Sequence, residues 1–193
     1  EAGSREIGEG NPDGAARKGS RDTVRDINGF SYSPDMKYIL YTQRVKLDKT
    51  PNDIYSDLPK ANARIEDDLM YRHWDSWADY SYSHIFVAHY SEGKVDSGKD
   101  IMENQRFESP MAPWGGMEQI NWSQSGDKFA YTCKKLTGKE YSLSTNSEIY
   151  VYDLKTGFET NVSNGLAGYD QDPVFSPDGK KLVWRSMARD GFE

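Results

Sequence analysis

One serine stands in a sequence that approaches the nucleophile elbow of serine hydrolases. Such an elbow needs Gly-x-Ser-x-Gly between a strand and a helix, because small residues let the strained serine backbone fit the sharp turn. Ser31 lies in Gly-Phe-Ser-Tyr-Ser, which lacks the second glycine, and Pro34-Asp35 then favours a β-turn where the helix should begin. We therefore predict that Ser31 is an ordinary strand residue and that this chain carries no catalytic residue.

The histidines are the next candidates, because imidazole can act as a base or as a metal ligand. His84 and His89 share a predicted strand at an odd spacing, which sends their side chains to opposite faces, and His73 stands apart. The sequence holds no His-Glu-x-x-His or paired Cys-x-x-Cys spacing. Asp170-Gln171-Asp172 resembles the start of a calcium loop, but the apolar Val174 stands where an oxygen ligand is needed. We expect no metal site and no cofactor.

Cys133 is the only cysteine, so the chain forms no internal disulfide. Lys134 and Lys135 could lower the pKa of its thiol, which would favour reactivity. A cysteine at the end of a predicted strand is more often a packing residue, and we expect that role here.

The charge balance restricts the partners. The chain has 193 residues, with 24 basic against 31 acidic side chains and a net charge of −7. This balance argues against nucleic acid as a partner, because its phosphates demand a basic face. A membrane span needs roughly 20 consecutive apolar residues, and the sequence contains no such run.

A short hairpin occurs three times along the chain and predicts the architecture. Residues 174–184 read Val-Phe-Ser-Pro-Asp-Gly-Lys-Lys-Leu-Val-Trp, in which two apolar β-rich runs flank a complete turn. Similar sequences occupy residues 32–41 and 122–131. A hairpin that recurs along a chain is the signature of a repeat fold.

A second strand pair also repeats, after the first. Ile-Phe-Val-Ala at 85–88, followed by Ser-Glu-Gly-Lys, matches Ile-Tyr-Val-Tyr at 149–152, followed by Lys-Thr-Gly-Phe. Four-stranded antiparallel units that recur every ~40–50 residues are the blades of a β-propeller. We predict an all-β fold, a partial β-propeller with about two and a half blades.

The repeat spacing predicts the organisation of the chain. Ser123 and Ser176 lie 53 residues apart, whereas Ser33 and Ser123 lie 90 apart, so we expect a large insertion in the first blade. Blades without neighbours leave apolar faces and strand edges uncovered, and we expect the chain to be part of a longer polypeptide. The expected segments are a polar loop or tail (1–26), a blade with a long insertion (27–116), a second blade (117–167) and the first half of a further blade (168–193).

Residues 67–77 are ambiguous. Met70, Trp74 and Trp77 have helical spacing, but the stretch is rich in aromatic residues and is followed by a strand-like run. We favour two strands, with residues 75–81 as the bend between them. We expect Trp74, Trp77 and Trp114 to pack between blades rather than to line a hydrophobic mouth.

These motifs together resemble a known family. The Ser-Pro-Asp-Gly-Lys repeat, the strand Ile-Tyr-Val-Tyr-Asp-Leu-Lys-Thr-Gly at 149–157, the stretch Asp-Asp-Leu-Met-Tyr-Arg-His-Trp-Asp at 67–75 and the final Arg-Asp-Gly-Phe-Glu at 189–193 carry the likeness. They are similar to the N-terminal β-propeller of bacterial serine peptidases of the prolyl oligopeptidase family, of the dipeptidyl-peptidase and acylaminoacyl-peptidase type. The likeness covers about residues 27–193.

The resemblance implies a role and partners. In that family the propeller covers an α/β-hydrolase domain, which bears the catalytic residues, and it limits access to short or unfolded peptides. This domain would follow the chain at its C-terminal side. The resemblance further implies peptide substrates and a periplasmic or secreted protein, and it leaves a homodimer open.

Carboxylates are the candidates for substrate contact. Exopeptidases that require a free substrate N-terminus must pair its ammonium with a carboxylate, which a propeller loop can supply. We predict this role for Glu193 and for the Asp67-Asp68 pair. The alternative for Glu193 is a salt bridge to Arg189 or Arg185, or plain exposure.

Two other functions fit the sequence. The first is a TolB-like propeller that binds proteins in the bacterial envelope without catalysis, since such propellers also use the Ser-Pro-Asp-Gly hairpin. The second is a free-standing structural repeat protein. A Gly-x-Ser-x-Gly motif downstream, with later Asp and His residues, would select the peptidase.

Overall fold

The computed structural model describes residues 27–191, and strands dominate its regular structure. The first part of the chain contains seven strands and one helical turn. In chain order these are β1 (Ile27–Tyr32), β2 (Tyr38–Lys46), α1 (Pro51–Ile54), β3 (Arg72–His73), β4 (Ser76–Trp77), β5 (Ser81–Ser91), β6 (Lys94–Val95) and β7 (Lys99–Asp100).

The second part contains six strands, one short helix and one 3-10 turn. In chain order these are the 3-10 turn (Met117–Gln119), β8 (Ile120–Trp122), β9 (Lys128–Cys133), α2 (Gly138–Leu143), β10 (Glu148–Asp153), β11 (Glu159–Asn161), β12 (Asp170–Phe175) and β13 (Leu182–Ser186). No helix of the described part of the chain has the length and hydropathy to cross a membrane.

The strands form successive antiparallel blades. The first sheet has the order β1-β2-β5-β6, with β7 also paired to β5, and the second has the order β8-β9-β10-β11. β12 and β13 form a two-stranded third sheet. The predicted all-β partial propeller of about two and a half blades is therefore confirmed.

The recurrent hairpin is held by its serine. The hydroxyl oxygen of Ser33 accepts the backbone N–H groups of Lys37 and Tyr38 at 3.1 and 2.9 Å, and the hydroxyl donates to Asp35 at 2.7 Å. Ser123 and Ser176 accept the corresponding backbone N–H in the other two turns. The side chain thus closes the turn, which explains the recurrence of serine in all three hairpins.

The main core lies between the first two blades. Leu40 and Ile85 of the first sheet are fully buried, as are Phe129 and Tyr131 of the second, and all four belong to one cluster. Alternate residues of β9 face the other way, where Asn121 of the neighbouring β8 accepts the N–H of Phe175 in the third sheet at 3.0 Å. The second sheet therefore packs one face against the first sheet and the other against the third.

One local expectation, the bend within the first insertion, needs correction. Residues 67–77 contain strands rather than a helix, which confirms the favoured interpretation. These strands, β3 and β4, have two residues each and pair with each other in a small hairpin. The expected bend at residues 75–81 is wrong in its bounds, because this range includes the strand β4. The connection between β9 and β10 contains the short helix α2, for which the sequence has no helical period.

Candidate functional site

The two long insertions leave the blades at the same end. Residues 47–80 connect β2 to β5, and residues 134–147 connect β9 to β10. Since the strands of each sheet are antiparallel, both insertions lie opposite the Ser-Pro-Asp-Gly-type turns. We call this end of the blades the insertion face and the other end the turn face.

Asp67 and Asp68 lie exposed on the insertion face. The carboxylate of Asp68 accepts the N–H of Leu69 at 2.8 Å and lies directly against Gly138, the first residue of α2. A Cβ at position 138 would stand 2.7 Å from Asp68 Oδ1, and Gly138 has a φ of +57°, so both space and backbone favour glycine there. Asp68 thus joins the insertion of the first blade to that of the second.

Glu193 lies outside the described residues, but the chain just before it is anchored. The N–H of Gly191 donates to the Thr145 hydroxyl at 2.7 Å, and the N–H of Thr145 donates to Asp190 at 2.6 Å. The hydrogen bond from the Thr145 hydroxyl is the main cause of the lowered pKa of the Asp190 carboxyl, and the bond from the Thr145 N–H adds to it. The segment that leads to Glu193 and the loop of Asp68 therefore contact the same insertion, near its two ends.

Lys134 shapes that insertion from inside. Its ammonium group donates to the carbonyl oxygen of Tyr141 at 2.6 Å and to that of Ser144, at the C-terminal end of α2. Burial lowers the pKa of Lys134 and raises that of the Tyr141 hydroxyl to about 12. A cation at the end of a helix satisfies free carbonyls, which explains how so short a helix is held.

The three tryptophans expected between blades are instead exposed, so that prediction is wrong. The exposed fractions are 67% for Trp74, 45% for Trp77 and 75% for Trp114. The rings of Trp74 and Trp114 lie 5.3 Å apart, between the β3–β4 hairpin and the segment before β8. Trp74 has a φ of +51°, a conformation that is costly for a bulky residue and that often marks a functional position.

Trp77 stiffens the small hairpin. The guanidinium groups of Arg64 and Arg72 lie 5.0 and 5.2 Å from its ring centre, and the ring of Tyr71 stacks at 6.1 Å. Each cation–π contact at such an exposed site contributes about 0.5–1 kcal/mol. The exposed aromatic residues are thus held in place rather than free.

A groove of about 510 Å³ lies between the 111–116 loop and the third hairpin. Its walls include Met111, Pro113, Trp114 and Glu118 on one side and Asp172 and Arg185 on the other. We call it the Trp114 groove. The sequence gives no signal for Glu118, because the opposite wall of the groove comes from residues more than fifty positions away.

Other sequence candidates have structural roles. Ser31 lies on β1, where its hydroxyl accepts the indole N–H of Trp122 at 3.2 Å. Cys133 is fully buried, and burial raises the pKa of its thiol to about 12. His84 is buried and His89 exposed, as their odd spacing predicts. Within residues 27–191 no group of three His, Cys, Asp or Glu side chains could hold a metal ion.

The chain is similar in sequence to several curated proteins, although no protein-family model matches it. It is 51% identical over 167 residues to a protein named dipeptidyl-peptidase 5 from Porphyromonas gingivalis, and 44% identical over 182 residues to its namesake from Porphyromonas endodontalis. A protein of the same name from Aspergillus fumigatus is 26% identical over 178 residues.

These matches cover 86%, 94% and 83% of this chain but only 24%, 26% and 24% of the relatives. The chain therefore spans about a quarter of the length of the curated relatives it matches. Two TolB structures, from Agrobacterium tumefaciens and Acinetobacter baumannii, are 19% and 16% identical, with TM-scores of 0.43 and 0.40. They cover 82% of this chain and 38% and 27% of their own. The resemblance to a dipeptidyl-peptidase propeller is confirmed by the sequence matches.

Proposed function

We propose that this chain is part of the substrate-gating β-propeller of a serine exopeptidase, which removes dipeptides or blocked residues from peptide N-termini. The observation that carries the proposal is the 51% identity to a dipeptidyl-peptidase 5 over 86% of this chain. The match covers only 24% of the relative, which leaves room for a catalytic domain. That domain, an α/β-hydrolase outside this chain, is the principal partner.

The insertion face is the part of the blades that faces the catalytic domain and the peptide. Exposed aromatic side chains of this extent mark interaction surfaces, and the turn face instead carries the short repeated turns. We place the protein in the periplasm or outside the cell. No nucleic acid takes part, in keeping with the net charge of −7.

Asp67, Asp68 and Glu193 contact the substrate in this proposal. The exposure of the two aspartates and the anchoring of Asp190-Gly191 to the same insertion support it. Replacing Glu193 by Gln, or Asp67 and Asp68 by Asn, should lower kcat/KM for peptides with a free N-terminus in the complete enzyme. Unchanged kcat/KM in a variant would remove that residue from the site.

Covalent labelling tests the activity directly. A fluorophosphonate reacts with the activated serine of a serine hydrolase. The complete protein should be labelled, whereas a fragment of residues 1–193 should not. A complete protein that stays unlabelled would contradict the proposal and favour a propeller that only binds proteins.

A further inference from the structure

The helix α2 has no buried residue to hold it in place. It spans six residues, Gly138–Leu143, and its Leu143 is 72% exposed. A helix this short is not stable by itself in water, because so few hydrogen bonds do not offset the cost of forming the first turn. Burial of apolar side chains therefore does not explain the conformation of this segment, and a polar contact is needed.

Lys134, directly after β9, supplies that contact. Its ammonium group donates to the carbonyl oxygens of Tyr141 and Ser144, and it lies 4.1 Å from the centre of the Tyr141 ring. The last carbonyl groups of a helix have no partner within the helix, so a cation placed there satisfies them and is itself stabilised. The lysine side chain thus holds the C-terminal half of α2.

The next residue, Lys135, serves a different part of the second blade. Its ammonium group forms an ion pair with Glu159 on β11 and lies 4.3 Å from the centre of the Tyr150 ring on β10. Within residues 27–191, by contrast, no carboxylate forms an ion pair with Lys134. Of two adjacent lysines, one therefore stabilises the sheet and the other stabilises the insertion.

The segment that is held in this way contacts other loops at both of its ends. At its beginning, Gly138 lies against the carboxylate of Asp68, and a Cβ on Gly138 would stand 2.7 Å from Asp68 Oδ1. At its end, the hydroxyl of Thr145 accepts the N–H of Gly191 at 2.7 Å. The segment therefore connects the insertion of the first blade to the chain that follows the third hairpin.

We propose that Lys134 is a positioning residue for the peptide site of the complete enzyme. Its ammonium group keeps α2 and Thr145 in place, and these hold the Asp68 loop and the chain before Glu193 at a fixed separation. The inference rests on the proposed function, because it requires that a peptide binds at the insertion face. Lys134 acts through these loops and does not itself touch the substrate.

The test compares Lys134→Met with wild type in the complete enzyme, using fluorogenic dipeptides with a free N-terminus. Methionine keeps most of the length of the side chain and removes the charge and the N–H donors. We expect KM to rise about 10-fold and kcat to stay within about twofold, because the loops lose their support while the reacting groups lie in the proposed catalytic domain. Lys134→Arg keeps a cation with N–H donors and should hold KM within about threefold of wild type.

Lys135→Met is the matched control, because Lys135 is also half-buried beside the end of β9 but pairs with Glu159. This variant should lower the melting temperature and leave KM unchanged. Hydrogen exchange measured by mass spectrometry gives a second readout. Peptides that contain the N–H groups of Thr145 and Gly191 should exchange at least about 10-fold faster in Lys134→Met, and at the wild-type rate in Lys135→Met.

An unchanged KM in Lys134→Met, with or without faster exchange, would overturn the inference and leave the peptidase proposal intact. An equal rise of KM in Lys134→Met and Lys135→Met would do the same, since it would reflect a general loss of stability. If Lys134→Arg behaved like Lys134→Met, the effect would belong to the shape of the lysine stem, and the inference would be wrong. A wild-type enzyme without activity on any peptide would overturn the proposed function, and the role of Lys134 with it.

Discussion

At the residue scale, burial has a larger effect on the pKa of the Cys133 thiol than the neighbouring lysine has. Lys135 acts to lower the pKa of the thiol, but burial dominates and raises it to about 12. The thiol donates to the carbonyl oxygen of Glu108 at 3.5 Å. Since only the thiolate reacts with alkylating agents, the native residue should be inert near neutral pH.

The prediction is that iodoacetamide at pH 8 leaves Cys133 unmodified in the native protein and alkylates it fully once the protein is unfolded in guanidinium chloride. Peptide mapping by mass spectrometry measures the modified fraction in both states. Rapid modification of the native protein would show that the thiol is accessible, contrary to the packing described here.

The turn serines allow a second prediction at this scale. Ser33 is 1% exposed, and Ser33→Ala would leave the N–H of the half-buried Tyr38 without its side-chain acceptor. We expect a loss of about 1–3 kcal/mol in the free energy of unfolding, measured by denaturant titration. Ser176→Ala is the matched control, because Ser176 makes the same bond in a more exposed turn and should cost less. Equal losses would assign the effect to something other than burial.

At the scale of elements, one buried histidine connects strand β5 of the first blade to strand β7. His84 on β5 is fully buried; its Nδ1 lies 2.7 Å from Asp100 and its Nε2 lies 2.9 Å from the carbonyl oxygen of Gln105. The carbonyl can only accept, so Nε2 carries a proton. The side chain thus connects the middle strand of the sheet to β7 and to the chain after it.

We predict that His84→Ala lowers the free energy of unfolding by about 3–5 kcal/mol, as expected when one partner of a buried polar pair is removed. His89 stands on the same strand but is exposed on the opposite face, so His89→Ala should change stability by less than about 0.5 kcal/mol. Denaturant titrations of the two variants give the comparison. Similar small effects for both would mean that the hydrogen bonds of His84 contribute little.

The elements also show which features a sequence can reveal. The Ser-Pro-Asp-Gly turns were predicted because their conformation depends on four adjacent residues, whose side chains bond within the turn itself. α2 was missed because a single turn and a half, held by Lys134, has no amphipathic period to detect. The exposure of Trp74 could not be read from its type, since aromatic residues serve both cores and binding surfaces.

The candidate site was less predictable than the fold. Asp67 and Asp68 were singled out by a family resemblance and lie on the insertion face, but the sequence gave no reason to place Asp68 against Gly138. Glu118 stands in no recognisable motif of the sequence. It becomes part of a groove only because the third hairpin forms the opposite wall.

At the scale of the whole molecule, the two ends of the blades differ in chemistry. The turn face repeats one hydrogen-bonding arrangement, in which an aspartate accepts a hydrogen bond from a serine of its own turn. Such bonds are the main cause of the lowered pKa values of Asp35, Asp127 and Asp178. The hydrogen bond from Lys128 lowers the pKa of Asp153, in the other type of turn, to about 2.

This repetition predicts a common acid sensitivity of the blades. A carboxyl whose pKa is lower in the folded than in the unfolded chain stabilises the fold fully above its unfolded pKa, which is 3.8 for aspartate. That stabilisation is lost as the pH falls toward the folded pKa. The melting temperature should therefore vary little from about pH 7 to pH 5 and fall steeply between about pH 4 and pH 2.

Asp153→Asn isolates one of these turns. The variant should be less stable than wild type at about pH 6, because Lys128 loses its charged partner, and the two melting temperatures should converge as the pH approaches about 2. The convergence follows from linkage: once Asp153 is protonated, wild type has lost the interaction that the variant never had. Differential scanning calorimetry across this range measures both curves, and a constant difference down to pH 2 would show that the ionisation of Asp153 does not support the blade.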